Sequence, residues 1–325
     1  MQRYMETSQR MVRIVGLSAT LPNYRDVAHF LRVSTEKGLF HFGPEHRPVP
    51  LEQTFIGVHG NDKLRQKSLM TREAYRKALG SVREGNQVMI FVHARKETFK
   101  TAQAILELAA RENSADEFSC GATDGYKLHC NAAQKSRSKE VRELFDAGFG
   151  CHHAGMLRGD RNLTERMFES GAIKVLVCTA TLAWGVNLPA HTVIIKGTEI
   201  YNPEKGGFMD VSILDVLQIF GRAGRPQYDT SGEAIMITAH KSLDRYLSLM
   251  TKQKPIESSF IKSLPDHLNA EVAGGTVTTV KEAVSWLGYT YLCIRMARNP
   301  MAYGITLTES EEDPTVANRR EGECT

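Results

Sequence analysis

The chain has 325 residues, 42% of them hydrophobic and 24% charged, a globular composition with room for about two domains of ordinary size. Forty-one basic residues against thirty-seven acidic ones leave a formal charge of +4, which permits contact with nucleic acid without requiring it. No apolar run reaches the length of a membrane span, the N-terminal decapeptide lacks the apolar core of a signal peptide, and the six cysteines include no C-x-x-C pair, as expected of reduced thiols in a nuclear or cytosolic protein.

In chain order, Val12 to Leu17 is a short apolar run ending in Ser18-Ala19-Thr20, and Pro22-Asn23 leads into an amphipathic stretch from Tyr24 to Val33. The expected order is strand, loop and helix, with Asn23 as the cap. Gly38 to Gln53 contains Pro44, Pro48 and Pro50 and reads as a linker, bounded here at residues 46–54. From Phe55 the pattern is strand and helix in alternation. Leu64, Tyr75, Leu79 and Val82 recur at helical spacing until Gly85-Asn86. Val88 to Val92 is apolar throughout, as in a strand covered on both faces, and Lys96 to Arg111 returns to helical period. Residues 112–148 are polar and end in a short helix near Lys139 to Phe145. Strands are expected at Phe149 to His152, Ile173 to Cys178, Thr192 to Lys196 and Ala234 to Thr238, with helices around Leu163 to Phe168 and over Ile213 to Phe220. Thr198 to Phe208 carries a Pro/Lys/Gly-Gly turn between β-prone pieces, a hairpin signal. After Pro255 the pattern is helical, and the tail from Leu307 is acidic and then polar, so disorder is expected at 307–325.

Strands alternating with helices mean a parallel sheet, and ligands of such sheets bind beyond the carboxyl ends of the strands. Arg95, His153, Gly155 and the stretch Thr179 to Asn187 all follow predicted strands, so they should project from one edge. Gln218 to Arg225 reads QIFGRAGR: two arginines three residues apart, with a glutamine, at the end of an apolar helix. Arginine stays charged and grips phosphate bidentately, although two solvated arginines at a helix end would look the same. Trp184 suits a core position better than a stacking platform. Cys120, Cys130, Cys151 and His152 could be drawn as four zinc ligands, but their spacing matches no familiar site, and no metal site is expected.

The octet QIFGRAGR resembles the sixth motif of superfamily 2 helicases, and its companions follow in order: Ser18-Ala19-Thr20 is similar to the third motif, Gln87 to Arg95 (QVMIFVHAR) to the fourth, and Cys178 to Ala190 (CTATLAWGVNLPA) to the fifth. With His152-His153-Ala154-Gly155 and GRAGRPQYD they resemble the large DExH-box helicases with tandem cassettes, over nearly the whole chain. The resemblance implies a RecA-like doubly wound α/β fold. Residues 1–45 would be the remnant of a first motor domain, 55–254 a second motor domain, and 255–306 a partial helical, winged-helix domain. It further implies catalytic roles for Gln218, Arg222 and Arg225, nucleotide contacts from Gly185, Asn187 and both arginines, and coupling through Ser18, Ala19 and Thr20. Nucleic acid would meet Arg95, His153, Gly155, Thr179, Thr181, Tyr201 and Phe208, the last two as an aromatic wedge on the hairpin.

The implied cofactor is ATP with Mg²⁺. The implied partners are a single strand or tailed duplex, a first motor domain, and a nuclear complex of cointegrator or spliceosomal type, with the cytosol as a second location and no membrane. Neither a G-x-x-x-x-G-K-[ST] loop nor a DExH box occurs in the sequence, so the chain reads as a fragment that supplies the third to sixth motifs and is inactive alone. A non-catalytic nucleic-acid-binding or interaction module remains the alternative, and so does a meiotic DNA helicase of similar build.

Overall fold

Val88–Val92 is buried at all five positions, and the residues divide strictly by period two: Met89 and Phe91 enter one apolar cluster, Val88, Ile90 and Val92 the other. A strand can do this only at the centre of a sheet with helices on both faces. The computed structural model describes residues 12–18, 21–202, 206–252 and 255–324. It divides into two units, Pro44–Lys252 and a second made of Met1–Gly43 with Gln253–Thr325.

The larger unit carries strands β1 (Leu51–Val58), β2 (Val88–Val92), β3 (Phe149–His152), β4 (Val175–Thr179), β5 (Thr192–Lys196), β6 (Glu199–Asn202), β7 (Gly207–Asp210) and β8 (Gly232–Ala239). Six of them form one sheet in the order β1-β8-β5-β2-β4-β3, every neighbouring pair parallel. This is the expected α/β architecture of RecA-like type. One face is filled by Phe168, Leu176, Val193, Ile219, Phe220 and Met236, the other by Tyr75, Ala78, Ile105, Val177, Ile194 and Ile235. Helices Lys63–Arg83, Arg95–Arg111, Lys139–Phe145, Arg158–Glu169, Ile213–Phe220 and His240–Lys252 supply the covering layers. The hairpin forms as read, β6 against β7 with Tyr201 opposite Phe208; the turn residues 203–205 lie outside the described residues.

Two expectations change here. β1 begins at Leu51, inside the range assigned to the linker, because its backbone pairs with β8 from Leu51 opposite Gly232 onward; Pro50 immediately before it stops nothing, since a strand tolerates proline at its start. β2 is therefore the second strand of this sheet, and Arg95 follows the second strand rather than the first.

The smaller unit is helical: Tyr24–Phe30, Leu264–Ala273, Val280–Leu287, Tyr291–Arg298, Leu307–Glu312 and Ala317–Cys324, with single 3₁₀ turns between. Its core is Leu264, Leu287, Leu292, Met296, Tyr303, Ile305 and Val316. Val12 to Leu17, read as a strand, is not one; a strand needs a neighbour to take its backbone groups, and no described segment pairs with it. The helix expected to reach Val33 ends at Phe30, and Asn23 occupies its N-cap position without capping it. Instead the Asn23 amide donates to the Ile256 carbonyl at 3.1 Å and to the Tyr291 hydroxyl at 2.7 Å, and accepts from Ile256 N at 3.0 Å. Arg295, 4% exposed, donates to Asp26, and to Glu257 at 2.7 and 3.1 Å. Residues 307–325 were expected to be disordered; the described part is two helices, the first started by a capping box between Thr306 and Glu309. Val316 and Cys324 join the apolar cluster, which gives this polar segment something to pack on.

Candidate nucleotide and nucleic-acid site

The GRAGR turn is stitched to the end of the fifth-motif stretch. Ala190 N donates to the Arg222 carbonyl at 3.0 Å, and Gly224 N donates to the Ala190 carbonyl at 2.7 Å, forming a parallel bridge between Ala190 and Ala223. Gly224 has φ of 85° and a Cβ there would lie 2.7 Å from Val49 Cγ1, so only glycine passes this point without strain. Arg47 closes the turn from outside, its Nη2 donating to the Ala223 carbonyl at 2.5 Å and its Nε to Val49 O at 2.8 Å.

Around this stitch stand four of the residues assigned to nucleotide. Arg222 donates through Nη1 to Asn187 Oδ1 at 3.1 Å and through Nη2 to the Ala183 carbonyl, and Gln218 Nε2 reaches the same carbonyl at 3.4 Å. The structure thus brings Gln218 and Arg222 against the Ala183 carbonyl of the short helix Thr181–Gly185, with Asn187, two residues past its end, held by Arg222. Gly185 ends that helix exposed, and a Cβ there meets nothing within 4 Å among the described residues, so none of them requires glycine at that position.

Arg225 has other partners. Its Nε and Nη2 donate to Asp229 at 2.8 to 3.3 Å and its Nη1 to Gln87 Oε1 at 3.0 Å. Gln87 immediately precedes β2, so this guanidinium sits at the amino end of the sheet.

The residues assigned to nucleic acid lie at the other end. Thr179 is opposite Val92 in register and His152 opposite Cys178, so Arg95, His153, Gly155 and Thr181 leave the carboxyl ends of the adjacent strands β2, β3 and β4. A five-residue strand separates the two ends by about 17 Å. Gly155 N donates to His153 Nδ1 at 3.1 Å, and a Cβ on Gly155 would stand 3.2 Å from Arg95 Cδ, so these three residues share one small surface. Thr179 and Thr181 share a hydroxyl hydrogen bond of 2.9 Å. The hairpin rises from β5, next to β2. Tyr201 and Phe208 are more than half exposed and meet edge to face, ring centroids 5.6 Å apart, with Lys63 Nζ 4.2 Å from the Phe208 ring centre. Trp184, read as core, is 61% exposed: the helix that carries it is too short to bury two faces, and Leu182 and Ala183 fill the one that is buried. Ser18 is exposed, and Ala19 and Thr20 lie outside the described residues.

His93 and Lys196 at the carboxyl edge were not singled out, and His152 was weighed as a zinc ligand and as part of its motif. Burial lowers the pKa of His93, whose Nε2 lies 2.6 Å from the Gly197 carbonyl, and burial brings Lys196 down to about 8 where it donates to Thr71 at 3.1 Å. His152 is buried against Glu165 at 2.8 Å; desolvation lowers its pKa and the carboxylate opposes this only in part. Cys151 donates to Glu140 at 3.4 Å, and burial raises its thiol pKa. Asp229 was legible as the residue four places after Arg225, a spacing that lets an acid and a base pair on one turn.

Comparison with known proteins places this geometry. The family described as helicase conserved C-terminal domain matches residues 128–227, and the winged helix-turn-helix domain family matches residues 257–321. An RNA helicase of Arabidopsis thaliana, DExH-box ATP-dependent RNA helicase DExH14, is 56% identical over 97% of this chain. The chain belongs to the DExH-box helicase family. Activating signal cointegrator 1 complex subunit 3 of Rattus norvegicus and that of Homo sapiens are each 56% identical over 98% of this chain. The chain spans about one seventh of the length of these relatives, 15% of the first and 14% of the others. Among the described residues, no helix is long and apolar enough to cross a membrane.

Proposed function

We propose that this chain is the second motor domain and adjoining winged-helix region of an ATP-dependent RNA helicase, and that it converts nucleotide hydrolysis into movement along a strand. The observation that carries the reading is the stitch between the fifth-motif and sixth-motif stretches, which brings Gln218 and Arg222 to the Ala183 carbonyl of the helix whose first residue is Thr181, with Asn187, just past that helix, bonded to Arg222. A strand phosphate held by Thr181 and a nucleotide phosphate approached by Arg222 would then act on the first residue and on the Ala183 carbonyl of one five-residue helix. Phosphate contacts of this kind fix position and carry no sequence information.

Arg222 and Arg225 present guanidinium groups to a γ-phosphate across a domain cleft, and Gln218 orients the attacking water. When bound, ATP with Mg²⁺ supplies the phosphoryl group whose transfer such arginines stabilise. Arg95, His153 and Gly155 line the path of the strand, Tyr201 and Phe208 wedge the duplex at the hairpin, and Ser18 to Thr20 report domain closure. Gly185 and Asn187 face the nucleotide. The phosphate loop, the DExH box and the remaining motor contacts come from a first motor domain, without which this chain is inactive. A cointegrator-type complex is the setting that the relatives' names favour, and the nucleus is the expected location.

The test is nucleic-acid-stimulated ATPase of the full-length parent with Arg222→Ala or Arg225→Ala. Turnover should fall about 10³-fold or more. Activity within about twofold of the parent for either change would reject the assigned role.

A further inference from the structure

One buried carboxylate beside the site has no part in the function proposed above. Asp229 is 4% exposed. It accepts from the backbone N of Arg225 at 2.7 Å, from Nε at 3.0 and 3.3 Å, and from Nη2 at 2.8 Å. Desolvation pushes its pKa up, but the hydrogen bonds from Arg225 outweigh this and hold the carboxyl below the usual aspartate range. The group is therefore ionised at neutral pH. Gln87 flanks the guanidinium from the sheet. Its Nε2 donates to the carbonyls of Phe168 at 2.6 Å and Ile173 at 3.0 Å, so the amide cannot turn over without losing both, and Oε1 is left facing Arg225 Nη1 at 3.0 Å. The Tyr228 ring centre lies 5.4 Å from the guanidinium carbon.

A guanidinium has five N–H groups. Asp229 takes the one on Nε and one on Nη2, and Gln87 takes one on Nη1. One N–H on each terminal nitrogen has no partner among the described residues, and the side chain is 22% exposed. Two N–H groups on the paired terminal nitrogens are what a bidentate grip on phosphate requires. We propose that Asp229, with Gln87, is the positioning residue for Arg225: it immobilises the side chain from behind and leaves the terminal N–H pair free for a phosphate oxygen pair. The proposal rests on the reading of Arg225 as a phosphate-directed group. The same carboxylate could instead compete with phosphate as a latch, but a latch would occupy the phosphate-binding edge, and the unpartnered N–H pair argues that it does not. An arginine held in place before the phosphate arrives loses less freedom on contact, so the effect should fall on turnover more than on nucleotide affinity.

Two measurements test this separately. In the present chain labelled with ¹⁵N-arginine, the Arg225 Nε–H should exchange with water at least about tenfold more slowly than that of an exposed arginine such as Arg65, and Asp229→Asn should abolish the protection. Equal exchange rates in the unaltered chain would overturn the positioning, whatever Arg225 does. In the full-length parent, Asp229→Asn should lower kcat about tenfold or more with KM for ATP within about twofold, Asp229→Glu should recover part of the loss, and Asp229→Asn should add nothing to Arg225→Ala. A raised kcat would mean a latch, and a further tenfold loss on top of Arg225→Ala would mean that Asp229 does not act through Arg225; either overturns the proposal. If Arg225→Ala were silent while its Nε–H stayed protected, the phosphate-directed reading would fall and the catalytic consequence with it.

Discussion

Replacing Arg295 by methionine should weaken the smaller unit more than any other single polar change in it. The guanidinium is 4% exposed and holds two carboxylates: Asp26 on the helix Tyr24–Phe30 and Glu257 ahead of the first 3₁₀ turn. Glu257 also accepts from Asn299 at 2.6 Å and from the Tyr303 hydroxyl at 2.8 Å. Breaking a fully buried ion pair from one side costs about 3–5 kcal/mol, because the charge left behind stays desolvated. Here the acids are 15% and 32% exposed, so water can recover part of that cost, and about 2–3 kcal/mol is the expected loss. With a urea dependence of about 1–3 kcal/mol per molar, the midpoint should fall by about 0.7–3 M.

The chain's two tryptophans make the assay selective: Trp286 packs against the core of the smaller unit, whereas Trp184 is already 61% exposed. Emission should follow Trp286. Changing Arg295, Asp26 and Glu257 together to Met, Asn and Gln should recover most of the loss, since no unpaired charge then remains. A midpoint for Arg295→Met within about 0.3 M of the parent would show that the network does not stabilise this unit.

Acid should act on the same network. Desolvation raises the pKa of Glu257, but the bonds from Arg295, Asn299 and Tyr303 outweigh it and hold the group below its ordinary value. Its stabilisation is thus complete above about pH 4.3, the unfolded value, and disappears as pH falls through the lower folded value; urea midpoints between pH 6 and 3 should show it, and Arg295→Met should flatten the curve. Gly224→Ala should cost about 1–3 kcal/mol by forcing a Cβ into the left-handed region against Val49, read as a lowered melting temperature. Shortening the hairpin between Glu199 and Asp210 should impair duplex unwinding by the full-length parent and spare its ATPase on single strands; equal loss of both would make the hairpin structural. The chain alone should bind ATP·Mg²⁺ at about millimolar or weaker, and micromolar binding by calorimetry would place a nucleotide site where none is expected.

The strands of the larger unit were legible because burial on both faces leaves continuous apolar runs, as at Val88–Val92 and Thr192–Lys196, and those bounds match the structure residue for residue. The parallel α/β class followed from their alternation with helices, and the RecA-like assignment from the resemblance of the motifs. β1 was hidden by the three prolines before it and by a half-polar sequence, Leu51-Glu52-Gln53-Thr54, that makes sense only once β8 lies beside it. Trp184 was misjudged because aromatic residues are usually buried, and nothing in LAWGV shows that its helix lasts one turn. Motif spacing singled out Arg222 and Arg225 but not their different partners: Asn187 and Gln87 lie 35 and 138 residues away along the chain. The tail was read as disordered from its charges, and the two apolar side chains that anchor it, Val316 and Cys324, are too few to register as a pattern.

The smaller unit has an uncommon schedule of assembly. Asp26 and its partner Arg295 are 269 residues apart in sequence, with the whole six-stranded sheet encoded between them. At a synthesis rate of about 5–20 residues per second, Asp26 precedes Arg295 out of the ribosome by roughly 13–54 s. A seven-residue helix cannot persist in water for that time unaided. The central sheet, by contrast, has every strand it needs long before Arg295 is made, and its closure draws residues 44 and 252 toward each other because β1 lies against β8. The order of translation therefore makes the larger unit a template: it shortens the loop that the first helix and the last five must bridge, and a nascent chain stalled before residue 291 would leave Phe30 without the Tyr291 ring that it meets edge to face.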